Sequence, residues 1–173
     1  MKRLLIVSFL VLIMAAGWRA YGSPETGTGN LTLPQPSPNV GENAPEFTAE
    51  TLDGGEFSVT DKGLYVLTFW STLNQDSSEA KPGFSRLARE YSSSEASFAA
   101  VYVSNTPGDY EEAPYDVVRD SSGKLTSLYN VKRVPRLFLI QNGEVKFVYN
   151  EYNEENQRLL EQRLEELMPE ESG

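Results

Sequence analysis

The chain has 173 residues, 39% hydrophobic and 11% aromatic, which suits one folded domain plus a targeting segment rather than bulk disorder. It contains no cysteine and no histidine. Disulfides, thiolate metal sites, thiol nucleophiles and Ser–His catalysis are therefore excluded in this chain. The formal charge is −10, and Lys2, Arg3 and Arg19 stand without an acid in residues 1–22, so a chain starting at Ser23 carries −13. Such a surface repels phosphate backbones, and no nucleic-acid partner is expected.

In chain order, Met1 to Gly22 reads as an export signal. Lys2 and Arg3 precede an apolar run from Leu4 to Ala16, and Ala20-Tyr21-Gly22 offers small residues to a signal peptidase. The alternative is an uncleaved anchor over residues 4–18, the only membrane contact the sequence suggests. Ala15-Ala16-Gly17-Trp18 looks like a lipoprotein signal with tryptophan at the lipid-acceptor position. Residues 23–39 are rich in Pro, Gly and Thr and read as a linker; Asn30-Leu31-Thr32 within it matches the N-glycosylation triplet. The folded domain is expected over 40–169, followed by a tail at 170–173.

Leu64 to Trp70 (LYVLTFW) is a short apolar run of the kind buried on both faces of a central strand. Ser78 to Tyr91 has helical spacing, with Phe84, Leu87, Ala88 and Tyr91 on one stripe. Phe98 to Val103 predicts a second buried strand, Asp116 to Val118 a short third one, and Lys124 to Tyr129 a short helix. Arg136 to Ile140 and Glu144 to Tyr149 read as a hairpin turning at Asn142-Gly143. Asn153 caps a last helix whose buried stripe is Leu160, Leu164, Leu167 and Met168. Its Glu-rich stretch reads as a solvated face, with Glu154–Arg158 as an i,i+4 pair. This alternation indicates an α/β architecture with a central sheet.

At this point the residues resemble a known family. Gly41-Glu42-Asn43-Ala44-Pro45-Glu46-Phe47 followed by Leu52-Asp53-Gly54 resembles the entry segment of the redoxin branch of thioredoxin-fold proteins. That branch holds exported thiol–disulfide oxidoreductases and peroxiredoxins. Val66 to Thr72 resembles the strand leading into the family's active site, and Pro82 the proline of its active-site helix. Tyr129-Asn130-Val131, Val134-Pro135 and Phe138-Leu139-Ile140 resemble the segment that carries its cis-proline. The resemblance spans roughly residues 40–168 and implies a thioredoxin-like three-layer fold, a central mixed sheet flanked by helices.

The departures bear on function. Where the family has a tryptophan, a cysteine, two residues and a second cysteine, this chain has Leu73, Asn74, Gln75-Asp76 and Ser77. Disulfide exchange needs a thiolate to attack sulfur and a second thiol to release the mixed disulfide. Asn and Ser supply neither. Asn at a helix start is instead an N-cap, worth about 1 kcal/mol over Ala. The connection from Asn105 to Pro114 reads as a loop where the family often has a helix.

Rival chemistries are weak. Ser78-Glu79-Ala80-Lys81 matches a Ser-x-x-Lys pattern, but its companion motifs are missing. Asp53-Gly54-Gly55 reads as a turn rather than a metal loop, and no cofactor or metal is implied. Two non-enzymatic readings stay open. In one, Leu73, Asn74, Gln75, Asp76, Ser77, Val134, Pro135 and Arg136 line a groove for an extended peptide or protein segment, with Val134 offering its backbone beside a cis bond. In the other, the domain is a scaffold. An enzyme of the resembled family, reductase or peroxidase, is disfavoured by the missing sulfur.

Overall fold

The structure is a computed structural model and describes residues 38–91 and 96–168. The expected export signal, the glycosylation triplet, the tail and all but the last two residues of the linker lie outside the described residues.

Two short strands open the domain, β1 (Phe47–Glu50) and β2 (Glu56–Val59), paired antiparallel. The central strand β3 (Leu64–Trp70) follows, then helix α1 (Gln75–Tyr91) and strand β4 (Ala96–Tyr102). A 3-10 turn at Tyr110–Glu112 interrupts the loop before β5 (Asp116–Arg119). Helix α2 (Lys124–Leu128), strands β6 (Arg136–Gln141) and β7 (Glu144–Tyr149), and helix α3 (Glu154–Leu167) complete the domain.

The main sheet has the order β5-β4-β3-β6-β7. Strands β3, β4 and β5 run parallel, while β6 and β7 are antiparallel to their neighbours. Period-2 alternation divides β3 between two cores. Leu64, Val66 and Trp70 face one layer with Phe84, Leu87 and Ala88 of α1 and Leu160 and Leu164 of α3. Tyr65, Leu67 and Phe69 face the other, with Phe57 and Val59 of β2 and Leu125 and Tyr129 at α2. All seven residues of β3 are buried, as a strand sandwiched between two layers requires. The result is the expected three-layer α/β fold.

The turn at Asn142-Gly143 has positive φ at both positions, 49° and 77°, the type I′ geometry whose twist suits a two-residue hairpin. Asn153 Oδ1 accepts the Asn156 amide at 2.7 Å and caps α3.

Several expectations need correction. The segment Phe47–Val59 forms a hairpin of two strands where the sequence suggests only an entry segment and a turn. Helix α1 begins at Gln75, directly after the Asn74 expected to cap it, and so extends three residues before the Ser78–Tyr91 stripe. Glu154 and Arg158 form no ion pair among the described residues; the pairs on α3 are Arg86–Glu161, at 2.9 Å, and Arg163–Glu166.

Candidate functional site

The site lies where the parallel strands end. Trp70 closes β3, and the chain turns through Ser71–Asn74 into α1. The turn is held by Asn74 N donating to Ser71 O (3.2 Å) and Leu73 N donating to Ser71 Oγ (3.2 Å). Asn74 Oδ1 accepts both the Ser77 amide (2.8 Å) and the Ser77 hydroxyl (2.9 Å). A single oxygen thus satisfies an orphan donor of the helix start and a buried side-chain hydroxyl. Ser77 is buried, and its Oγ accepts the Ser71 amide at 3.4 Å.

The other candidates differ in access. Leu73 is 83% exposed, a large apolar side chain held out into solvent. Gln75 and Asp76 are exposed, and Gln75 Nε2 donates to Glu79 at 2.8 Å. Asp76 places a negative charge in the first turn, where the helix dipole favours it.

The Val134–Pro135 peptide bond is cis. In the β3–β6 register Phe69 pairs with Arg136, so Pro135 is level with Trp70, where β3 gives way to the turn before α1. Val134 is half-buried and Pro135 buried.

Arg136 does not belong to an accessible surface. It is 3% exposed, with its guanidinium 4.9 Å over the Phe138 ring. It donates to the carbonyls of Asn130 (3.4 Å) and Pro38 (3.3 Å), and its Nε has no partner among the described residues. Burial disfavours its charge and lowers its pKa. The expectation that Arg136 meets a peptide is corrected: the residue after Pro135 starts strand β6, and its side chain packs inward.

Beside the helix start is a cavity of about 380 Å³ lined by Trp70, Ser71, Ser77, Ser78, Lys81 and Tyr102 among others. Val134, Pro135 and Arg136 do not line it. At its edge Lys81 pairs with Asp109 at 2.5 Å, which holds the Asp109 carboxyl below its usual pKa. The lysine of the Ser-x-x-Lys pattern is therefore engaged with an acid, and neither Ser77 nor Ser78 bonds to it among the described residues. Asp109 was not foreseen, because the pairing spans 28 residues and no local pattern announces it. Among the described residues no group of three or more acids is arranged to hold a metal ion, and no helix is long and apolar enough to cross a membrane.

A central mixed sheet between two layers, with a helix starting at the end of the middle strand opposite a proline, defines a thioredoxin-fold protein. The AhpC/TSA family matches residues 40–148, and the chain belongs to that family. It is 28% identical to the thiol-disulfide oxidoreductase ResA of Geobacillus thermodenitrificans over 150 residues, 81% of this chain and 82% of ResA. Among solved structures it is similar to a candidate thiol:disulfide interchange protein DsbE from Chlorobium tepidum, with a TM-score of 0.66 and 24% identity over 75% of this chain and 98% of that one. It is also similar to the exposed lipoprotein thioredoxin Etrx1 of Streptococcus pneumoniae, with a TM-score of 0.59 and 21% identity over 71% and 100% of the two chains. The absence of cysteine fits a redox-inactive member of this family.

Proposed function

We propose that this is an extracytoplasmic, redox-inactive accessory module that holds an extended peptide or protein segment at the Leu73–Ser77 turn and the Val134–Pro135 edge. The observation that carries the reading is the Asn74–Ser77 pair. Each group that stands where the family has a thiol is hydrogen-bonded to the other, so both positions serve the helix start and neither is free to attack. Leu73 is the exposed apolar contact next to them, and a half-buried Val134 can offer backbone groups for strand addition. Similarity to an exposed lipoprotein thioredoxin supports export, as does the apolar run from Leu4 to Ala16.

Two measurements test this. Insulin reduction by dithiothreitol is expected to run at the blank rate with the protein added; turnover above it in reductase-free material overturns the redox-inactive reading. Selected peptides that shift the Leu73–Ser77 amides in NMR are expected to bind weaker to Leu73→Asp, a change on an exposed side chain that leaves folding intact. Equal binding by the variant overturns the groove.

A further inference from the structure

A second cleft lies on the other side of the sheet, at the edge formed by β5. It encloses about 740 Å³ between the outer edge of β1, the end of β5 and helix α2. Strands β1 and β5 meet at one point: Thr51 bridges Val118, and Leu52 N donates to Val117 O at 2.8 Å. Beyond that bridge they separate and the cleft opens.

The hydrogen-bond phase of the hairpin says which backbone groups face the gap. Thr51 N donates to Gly55 O across the hairpin, at 3.0 Å. In an antiparallel ladder alternate residues bond to the partner strand, so Ala49 and Phe47 point their backbone groups at β2. Thr48 and Glu50 then turn their N–H groups toward the cleft, and among the described residues neither has a backbone partner there. The cleft also has apolar side chains, half-buried Phe47 and Ala49 from β1 and Leu128 from α2, the last 41% exposed.

Charge is distributed unevenly around it. Arg119 and Lys124 are exposed at the β5–α2 end and form no ion pair among the described residues. Glu46 and Glu50 stand on the β1 side. Asp120 also lines the cleft, but its carboxylate is committed to the start of α2, accepting from Leu125 N, Thr126 N and Thr126 Oγ1. In a chain of formal charge −10, two unpaired cations at one end of an open strand edge single out an acidic group as their complement.

We propose that this cleft is a second docking site, distinct from the Leu73–Ser77 turn, and that its occupant is an extended segment of a partner protein. The segment adds a strand to the outer edge of β1, with aliphatic side chains toward Phe47, Ala49 and Leu128 and an acidic residue at Arg119 and Lys124. Main-chain bonds to Thr48 and Glu50 supply affinity, and the floor and the two cations supply selectivity.

The test is panning a displayed random library of about eight residues, the length of a strand, on the folded protein. Recovered peptides are expected to alternate β-branched with polar residues and to carry an acid near one end. In amide-resolved NMR, a recovered synthetic peptide should slow hydrogen exchange at Thr48 and Glu50 and leave the Leu73–Ser77 amides unshifted. Arg119→Glu with Lys124→Glu should weaken it by about ten-fold or more, a change carried by rim charges on exposed side chains. Thr48→Pro removes an outward N–H and keeps the backbone bonds between β1 and β2, though it also deletes the Thr48 Oγ1–Ser58 Oγ bond at 2.8 Å, so Thr48→Val serves as its control; the proline variant should bind more weakly than that control. Recovery of no peptide, peptides without an acid, shifts confined to Leu73–Ser77, or binding indifferent to both variants would each overturn the proposal. Because the Leu73→Asp protein should bind these peptides normally, failure here is separable from failure of the groove.

Discussion

At the scale of single residues, two side chains carry opposite lessons about charge and hydrogen bonding. Asn74 is a cap: its Oδ1 accepts two donors from Ser77, one of them buried. Asn74→Ala is expected to lower stability by about 1 kcal/mol, read as an earlier midpoint in a denaturant titration, whereas Asn74→Ser should retain most of it because a hydroxyl also caps. Asp116 is the reverse case. Burial at the start of β5 raises its carboxyl pKa, and the Asp53 carboxylate nearby adds to the shift. A raised carboxyl pKa means that folding disfavours the ionised form. Its contribution to stability is present below the ordinary value of 3.8 and is lost as pH rises through the folded-state value. Asp116→Asn removes the ionised form and should be more stable than the parent at pH 7. The difference should shrink toward zero as pH falls to about 3.8. Thermal melts of both proteins across that range give the comparison; a variant destabilised at neutral pH would show that Asp116 makes a favourable contact in its charged form.

At the scale of elements, α1 meets the Gln157 side chain of α3 at a residue without a side chain. A Cβ at Gly83 would overlap the carboxamide of Gln157, whose Oε1 accepts the Tyr152 hydroxyl at 2.7 Å. Replacing an interior helical glycine with alanine normally gains about 1 kcal/mol. Here Gly83→Ala should gain less than that, because the Gln157 carboxamide, the end of a flexible side chain, must swing aside and release the Tyr152 hydroxyl. In a Gln157→Ala background the same change should recover its helical gain. A double-mutant cycle in denaturant measures that coupling, and additive effects would show that the helices do not meet at this point. The elements themselves were unequally legible in the sequence. Strand β3 could be read from its apolar run alone, and α1 from its stripe of Phe84, Leu87 and Ala88, since burial on two faces and on one face leave different periods. Strands β1 and β2 could not. FTAE and EFSV are four residues each, too short for alternation to stand out, and their pairing is set by the Thr51–Gly55 turn and by contact with the second core. Arg136 was misread for a related reason. A charged residue beside Pro135 looks exposed locally, and only the Phe138 ring and the distant Pro38 carbonyl take it inward.

At the scale of the whole molecule, the sheet, the helix start, the proline opposite it and the entry segment of a thiol oxidoreductase are all assembled here, and the sulfur is missing. That separates the scaffold from the chemistry and makes the separation testable by restoring two atoms. In Asn74→Cys with Ser77→Cys, the first thiol would sit at the start of a 17-residue helix, where the positive end of the dipole lowers a thiol pKa and raises its thiolate fraction. The second would lie one helical turn on, at the position whose hydroxyl already bonds to residue 74 across 2.9 Å. The double variant should lose about 1 kcal/mol of capping and should form a reversible disulfide between the two positions. It should also accelerate insulin reduction by dithiothreitol over the parent, with each single cysteine variant near the blank because resolution of a mixed disulfide needs the second thiol. If the disulfide forms, as shown by thiol titration, and insulin reduction stays at the blank rate, then the surface formed by Leu73, Val134 and Pro135 does not admit an extended chain. The peptide groove would then fall with it, leaving the cleft at the β1 edge as the place to look for a partner.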